Sequence, residues 1–386
     1  MKNIGVICEY NPFHNGHAKQ LRFLAGQGTA VCLMSGNYVQ RGEPALTDKW
    51  ARARAAAECG ANLVLELPVT YALRSAEGFA DGGVEILSKL GCVDALCFGS
   101  ESADERAIMR TAELLLRPDF SRLLREELDK GVSFPAARQR AVVRLIGSEE
   151  SVLPLSEPND ILAVEYCKAL LRRKSTIEPL VIKREGSYHA GSDRENPSAA
   201  FLRTQSDWSG YQPERAWELL RDAPRYTVQA GERAWLARLR SMREAEYEAL
   251  PFGSEGLWRK VFAASRTCTR MEEILAAAKS KRYTRTRLMR LLLCAYLGVS
   301  REMLEAQAPY VRVLAADRRG RAVLKQAREL GGIPILNPGE APTDAAYGEL
   351  ERRAADLYAL FREDTIGPCG AEHSARFYAA EGEERV

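Results

Sequence analysis

The first twenty residues, MKNIGVICEYNPFHNGHAKQ, leave few folds open. Asn3 to Cys8 is a short, mostly apolar run of the kind that forms a buried parallel strand; Asn11 and Pro12 are turn formers, and a helix-like run begins at Ala18. Between turn and helix stand His14, Asn15, Gly16 and His17. A strand, turn, helix unit places both histidines where the helix begins, three residues apart, with their rings on one side and able to face one anion. The mouth of such a turn is a phosphate site. Imidazoles suit it because they donate hydrogen bonds and titrate near neutrality, so they can follow charge as it builds on a phosphate in a transition state. Gly16 leaves room for a flat base to approach the backbone. Two histidines at this spacing also suit a metal or a plain helix cap. Their position favours catalysis: the pattern directly follows the first predicted strand, and two of the four histidines in the chain are here.

The first half of the chain repeats this alternation. Ala30 to Ser35, Asn62 to Glu66, Asp94 to Phe98 and Ile177 to Ile182 read as further short strands. Helices are expected from a Thr47 or Asp48 cap to about Cys59, and from Ala76 to Leu90. That order predicts an α/β fold, a Rossmann-like parallel sheet covered on both faces, with ligands at the carboxyl ends of its strands. The pattern is helical from about Ala103 to Ile146, and Pro158 fits a helix start that carries Asn159 and Asp160. The sheet is expected to end near Thr204. Beyond it the chain reads as helical and Arg-rich to about Leu297. A small strand-helix-strand-helix piece follows over Tyr310 to Phe361, with strands at Val311 to Ala315 and Ile333 to Leu336, and then a loose tail after Arg362. Two domains result, 1–205 and 206–386.

A chain of 386 residues is long enough for two cores, and 46% hydrophobic with 28% charged residues is an ordinary globular balance. No apolar stretch reaches membrane-spanning length and no signal-like start is present, so a cytoplasmic protein is expected, with no membrane partner. The nine cysteines are scattered, without C-x-x-C pairs, as reduced core residues would be. A formal charge of +3 is too small to announce a nucleic-acid partner, so any such claim rests on clustering.

Taken in order, GVICEYNPFHNGH, SGNYVQRGEPALTDKWARA, LELP, FGSE, PNDILAVEY, KREGSYH and KRYTRTRLMRLLL resemble the bacterial tRNA-Met cytidine acetate ligase family, of the H-x-G-H nucleotidyltransferase superfamily. The resemblance reaches to about Asn337. It implies a nucleotidyltransferase core over 1–205 and a helical, tRNA-binding part over 206–386. It also implies activation of acetate by ATP as acetyl-adenylate, with transfer of the acetyl group to N4 of the wobble cytidine of elongator tRNA-Met. His14 and His17 would be the catalytic pair, steadying the α-phosphate by charge placement. ATP, accompanied by Mg2+ and with no metal held by the chain itself, would lie along Ile7, Cys8, Glu9, Tyr10, Asn11, Pro12, Phe13, His14, Asn15, Gly16, His17, Ala18, Lys19 and Gln20, and on Gly99, Asn159 and Arg184. A Ser-rich segment for the outer phosphates is altered here: Ser198 and Arg203 stand at its ends, but Ala200 and Phe201 replace inner hydroxyls.

The tRNA side rests on charge. Ten Lys or Arg lie between Arg259 and Arg290 against Glu272 and Glu273. Within them Lys281, Arg282, Tyr283, Arg285 and Arg287 combine cations with an aromatic ring for phosphate contact and base stacking. Arg41, near the first turn and beside Tyr38, would extend that surface to the ATP site. Two other readings stay open: adenylyl transfer to a small phosphorylated metabolite, and a tRNA-binding protein with impaired catalysis.

Overall fold

A computed structural model describes residues 1–147, 155–185, 193–280 and 283–380. The expected alternation is present: β1 (Lys2–Cys8), α1 (Asn15–Ala25), β2 (Gly28–Ser35), α2 (Lys49–Glu58), β3 (Leu63–Leu67), α3 (Ala76–Lys89) and β4 (Ala95–Ser100). Asp48 caps α2, its side chain accepting from the N–H groups of Trp50 and Ala51. β2 is buried along its whole length and β3 likewise, as strands covered on both faces must be. β1 lies between β2 and β4, parallel to both, with Cys8 opposite Met34 and Ile4 opposite Ala95. After a helical stretch, α4 (Pro158–Arg173) leads into β5 (Glu178–Lys183), which extends the parallel sheet beside β4.

Alternation along the strands sorts two cores. Leu33, Leu65, Leu96 and Phe98 pack with Phe79 and Val84 of α3 and Val164 and Tyr166 of α4. Val6, Cys32, Val64 and Cys97 pack on the opposite face with Leu21 and Leu24 of α1 and Ala53 and Ala56 of α2. A third core occupies the helical second half around α5 (Arg285–Leu297), whose residues from Leu288 onward are all buried. Tyr38, Val69 and Leu73 from the first half enter this third core, so the helical part packs directly on the sheet unit.

The sheet does not end near Thr204. β6 (Val311–Ala316) adds to β3 in antiparallel register, Leu63 opposite Ala316 and Glu66 opposite Arg312; β7 (Ile335–Leu336) and β8 (Tyr378–Ala379) pair with β6 in parallel. All six residues of β6 are buried, and a small strand-helix-strand piece by itself could not cover both faces of such a strand. The order is β8-β6-β3-β2-β1-β4-β5. The expected loose tail is equally a docked segment: it supplies β8 and the buried Glu372.

That carboxylate belongs to a buried ionic cluster. Lys49 Nζ holds Glu66 at 2.7 Å and also contacts Glu372; Arg312 lies 3.6 Å from Glu372 and 3.7 Å from Glu351. Tyr310 donates to Glu351 at 2.5 Å, and burial, reinforced by Glu66, pushes the Glu351 carboxyl up to about 7. Lys49→Ala would leave Glu66 and Glu372 buried against each other. A loss of roughly 3–5 kcal/mol in urea unfolding is expected, whereas Glu372→Ala, which leaves Lys49 paired with Glu66, should cost clearly less. Equal stability of Lys49→Ala and the parent would show that the cluster does not hold the tail to the sheet.

Candidate active site

The chain leaves β1 at Cys8 and turns at Tyr10, a residue with φ of 46°. It enters α1 through His14, whose extended backbone makes it the cap. The first N–H groups of a helix need acceptors. Here two imidazoles supply them reciprocally: His14 Nδ1 accepts from Gly16 N–H at 3.1 Å, and His17 Nδ1 accepts from His14 N–H at 3.2 Å. The rings stack at 3.6 Å with 23° between their planes. An Nδ1 that accepts carries no proton, so each neutral ring holds its proton on Nε2 as a donor. Burial lowers both rings, His14 to about 3 and His17 well below 6.5; Arg184 acts in the same direction on both, and His14 does so on His17. The expectation that they titrate near neutrality is corrected: as they stand, both are neutral donors. A Cβ on Gly16 would lie 3.0 Å from the His14 ring, so this glycine makes room for the imidazole as well as lining the site.

The opposite wall is set by a relay that begins at β4. Glu101 takes the N–H of Asp160 at 2.9 Å and the side-chain amide of Asn159 at 2.5 Å, a carboxylate on the N-terminus of α4. Asn159 Oδ1 then accepts from the Arg184 guanidinium at 2.9 Å. Asp160 is buried and ties Ser100 and Ser102 to the same corner. Glu101 was missed in the sequence. The signal for it was an acid just past a strand end, facing a Pro-initiated helix far along the chain.

These walls enclose an open pocket of about 830 Å³. It is lined by Ile7, Cys8, Glu9, Tyr10, Asn11, His14, Gly16, His17, Lys19 and Gln20, and by Gly99, Asn159, Arg184, Arg203 and Arg41. Five expected residues do not line it. Pro12 and Phe13 are buried in the turn and Ala18 in the core under α1, while the Asn15 side-chain amide points away to the carbonyls of Arg194 (2.8 Å) and Gly210 (3.2 Å). Ser198 is a buried helix cap whose hydroxyl accepts from Phe201 N–H at 3.1 Å. Asn196, missed in the sequence, does line the pocket and holds Lys19 Nζ at 2.7 Å.

The lining residues come from both faces of the sheet: Lys19, Gln20 and Phe23 of α1 with Cys97 and Ile182 on one, and Phe79 of α3, Phe98, and Leu162 and Tyr166 of α4 on the other. Glu9, Gln40, Arg41 and the histidine pair line the same pocket. Among the described residues no three His, Cys, Asp or Glu side chains gather as a metal site.

The basic segment differs from expectation. Tyr283 is buried, donates to the Glu255 carbonyl at 2.9 Å, and is flanked by Arg287 and Lys260, so it offers no open face for a base. Arg285 is bidentate to Glu272 at 2.6 Å, and Arg287 is bound to the Phe252 carbonyl and the Ser254 hydroxyl. Tyr38 is likewise buried, its hydroxyl on the Ala354 carbonyl. Lys281 and Arg282 lie outside the described residues.

A model of the HIGH Nucleotidyl Transferase family matches residues 1–369. The tRNA(Met) cytidine acetate ligase of Caldanaerobacter subterraneus is 34% identical over 93% of this chain and 95% of its own; that of Acetivibrio thermocellus is 35% identical over the same shares. The crystal structure of Thermotoga maritima TmcAL, without ligand, superposes with a TM-score of 0.90 at 32% identity, over 98% of this chain and 100% of that one. The same enzyme bound with alpha-thio ATP gives 0.88. The paired imidazoles at the end of β1, the sheet around them and these likenesses agree: the chain belongs to the HIGH nucleotidyl transferase family, among its tRNA(Met) cytidine acetate ligases.

Proposed function

We propose that this chain activates acetate with ATP and transfers the acetyl group to the exocyclic N4 amine of the wobble cytidine of elongator tRNA-Met, giving N4-acetylcytidine. The observation that carries the reading is the imidazole pair, with both Nδ1 atoms engaged by the backbone and both Nε2–H groups left to donate. In the first step an acetate oxygen attacks the α-phosphorus, an O–P bond forms and pyrophosphate leaves. Charge on the equatorial oxygens rises as it does, and preorganised donors gain most at that moment. His14 and His17 supply the donors. Arg184, held by Asn159 and Glu101, adds fixed positive charge, and Lys19 and Arg203 offer cations to the outer phosphates where the Ser198 hydroxyl does not. In the second step the amine attacks the acyl carbon, and AMP leaves with the electrons of the acyl C–O bond.

Residues 1–205 hold the nucleotide in this reading, and tRNA is shared between residues 206–386 and the loop of the first half that carries Arg41. We propose that tRNA approaches along the loop that carries Arg41, because that residue lines the pocket. The two substrates set the reaction in the cytoplasm. No helix among the described residues is long and apolar enough to cross a membrane.

Acetate-dependent exchange of pyrophosphate into ATP tests the first step. His14→Asn and His17→Asn should each lower it by on the order of 100-fold or more without changing the circular dichroism spectrum, while near-parent exchange in both would remove the imidazoles from the mechanism. Exchange that requires a phosphorylated metabolite in place of acetate would favour the adenylyltransferase reading. For the tRNA path, Arg41→Ala should flatten the salt dependence of tRNA binding by about one unit of log–log slope, with Arg285→Ala leaving it unchanged. The reverse pattern would return the interface to the segment around Arg285.

A further inference from the structure

Glu9 is the first residue after β1, and it is clamped at both ends. Its carbonyl accepts from the Arg52 guanidinium at 2.5 Å, and its Oε1 accepts from Gln40 N–H at 2.7 Å. Oε2 makes no hydrogen bond to the described residues, and Glu9 lines the same pocket as Phe79, Phe98 and Tyr166. Tyr166 is buried against Phe98, ring centroids 5.4 Å apart, and its hydroxyl also lacks a partner among the described residues. An apolar slot with an acceptor and a donor at its rim has the chemistry of a pyrimidine site. At about 830 Å³ the whole pocket lies near the upper end of the ~300–1,000 Å³ range of ligand sites, room for a nucleotide and a base together.

We propose that the side of the pocket formed by Phe79, Phe98 and Tyr166 receives the target cytosine and that Glu9 is the catalytic base of the transfer step, taking the proton from the exocyclic amine as the amine attacks acetyl-adenylate. The proposal rests on the ligase reading above. The new C–N bond forms at the acyl carbon, the acyl C–O bond breaks, AMP leaves with that electron pair, and one amine proton passes to Glu9 Oε2. The Tyr166 hydroxyl donates to a ring acceptor of the base. Uracil is rejected because its carbonyl oxygen would face the carboxylate, acceptor against acceptor. Burial raises the Glu9 carboxyl from its ordinary value; the Gln40 N–H and the guanidinium groups of Arg203, Arg52 and Arg41 oppose it, and Tyr166 also faces it.

The test supplies acetyl-adenylate to excess enzyme and follows one turnover of acetyl transfer to a tRNA-Met transcript as a function of pH. The parent rate should rise with pH along an acid limb to a plateau. Glu9→Gln should be slower by roughly 100-fold or more, with that limb gone, and Glu9→Asp should be slowed but keep it. Glu9→Gln transfer within a few-fold of the parent, or a limb that persists in it, overturns the assignment, since a residue that only held Gln40 in place would leave the limb intact. If Glu9→Gln does not fold, Glu9→Asp decides: parent-like transfer, or slowed transfer with the acid limb at the parent's pH, overturns the proposal, and slowed transfer with the limb displaced along the pH axis upholds it. Failure of the parent itself to transfer from acetyl-adenylate overturns the ligase reading instead.

Discussion

A helix that begins at the edge of a parallel sheet exposes N–H groups which something must satisfy, and here two imidazoles do so. This one requirement sets much of the chemistry. A carboxylate cap would satisfy the backbone and leave only acceptors over, which repel a phosphate, whereas an imidazole that caps through Nδ1 still has an Nε2–H donor. Capping fixes the tautomer, the tautomer makes Nε2–H a donor, and burial keeps the rings uncharged until an anion arrives. The structural device and the catalytic device are the same pair of side chains. Gly16 is held small by the His14 ring it faces.

Around this pair the sheet presents both of its faces. Because side chains alternate along a strand, Cys97 and Ile182 look toward α1 while Phe98 and Val181 look toward α3 and α4. A ligand lying across the strand ends can therefore meet side chains from both faces of the sheet within one pocket. That arrangement suits a reaction in two steps, in which an acid is activated and its acyl group is then met by a second substrate. The helical half packs on this unit through Tyr38, Val69 and Leu73, and the ionic cluster of Lys49, Glu66, Arg312, Glu351 and Glu372 fastens the last strand and the tail to the sheet.

The sequence exposed what is local. Strand and helix periodicity, the Asp48 cap and the H-x-G-H turn are each written within a few residues, and the structure places most of them within a residue or two of where the pattern puts them, although α1 starts at Asn15, three residues before the Ala18 expected for it. What escaped depends on contacts distant in the chain. Glu101 is recognisable only once α4 is seen to start beside it. The place of Val311–Ala316 in the main sheet follows from its pairing with β3, about 250 residues earlier. Tyr283 and Arg285 read as an RNA surface because the sequence does not show that one is buried and the other bound to Glu272. Ser198 read as a phosphate contact because a hydroxyl used as a cap and one free for a ligand look alike in a string of letters.

The neutral, Nε2-protonated state of both imidazoles is the claim on which the chemistry turns, and with only four histidines in the chain it can be observed directly. A 1H–15N correlation spectrum of the ring nitrogens, recorded from pH 5 to 8 without nucleotide, should show His14 and His17 with the proton on Nε2 and no titration across the range. A ring protonated on Nδ1, or one that titrates near 6.5, would contradict it.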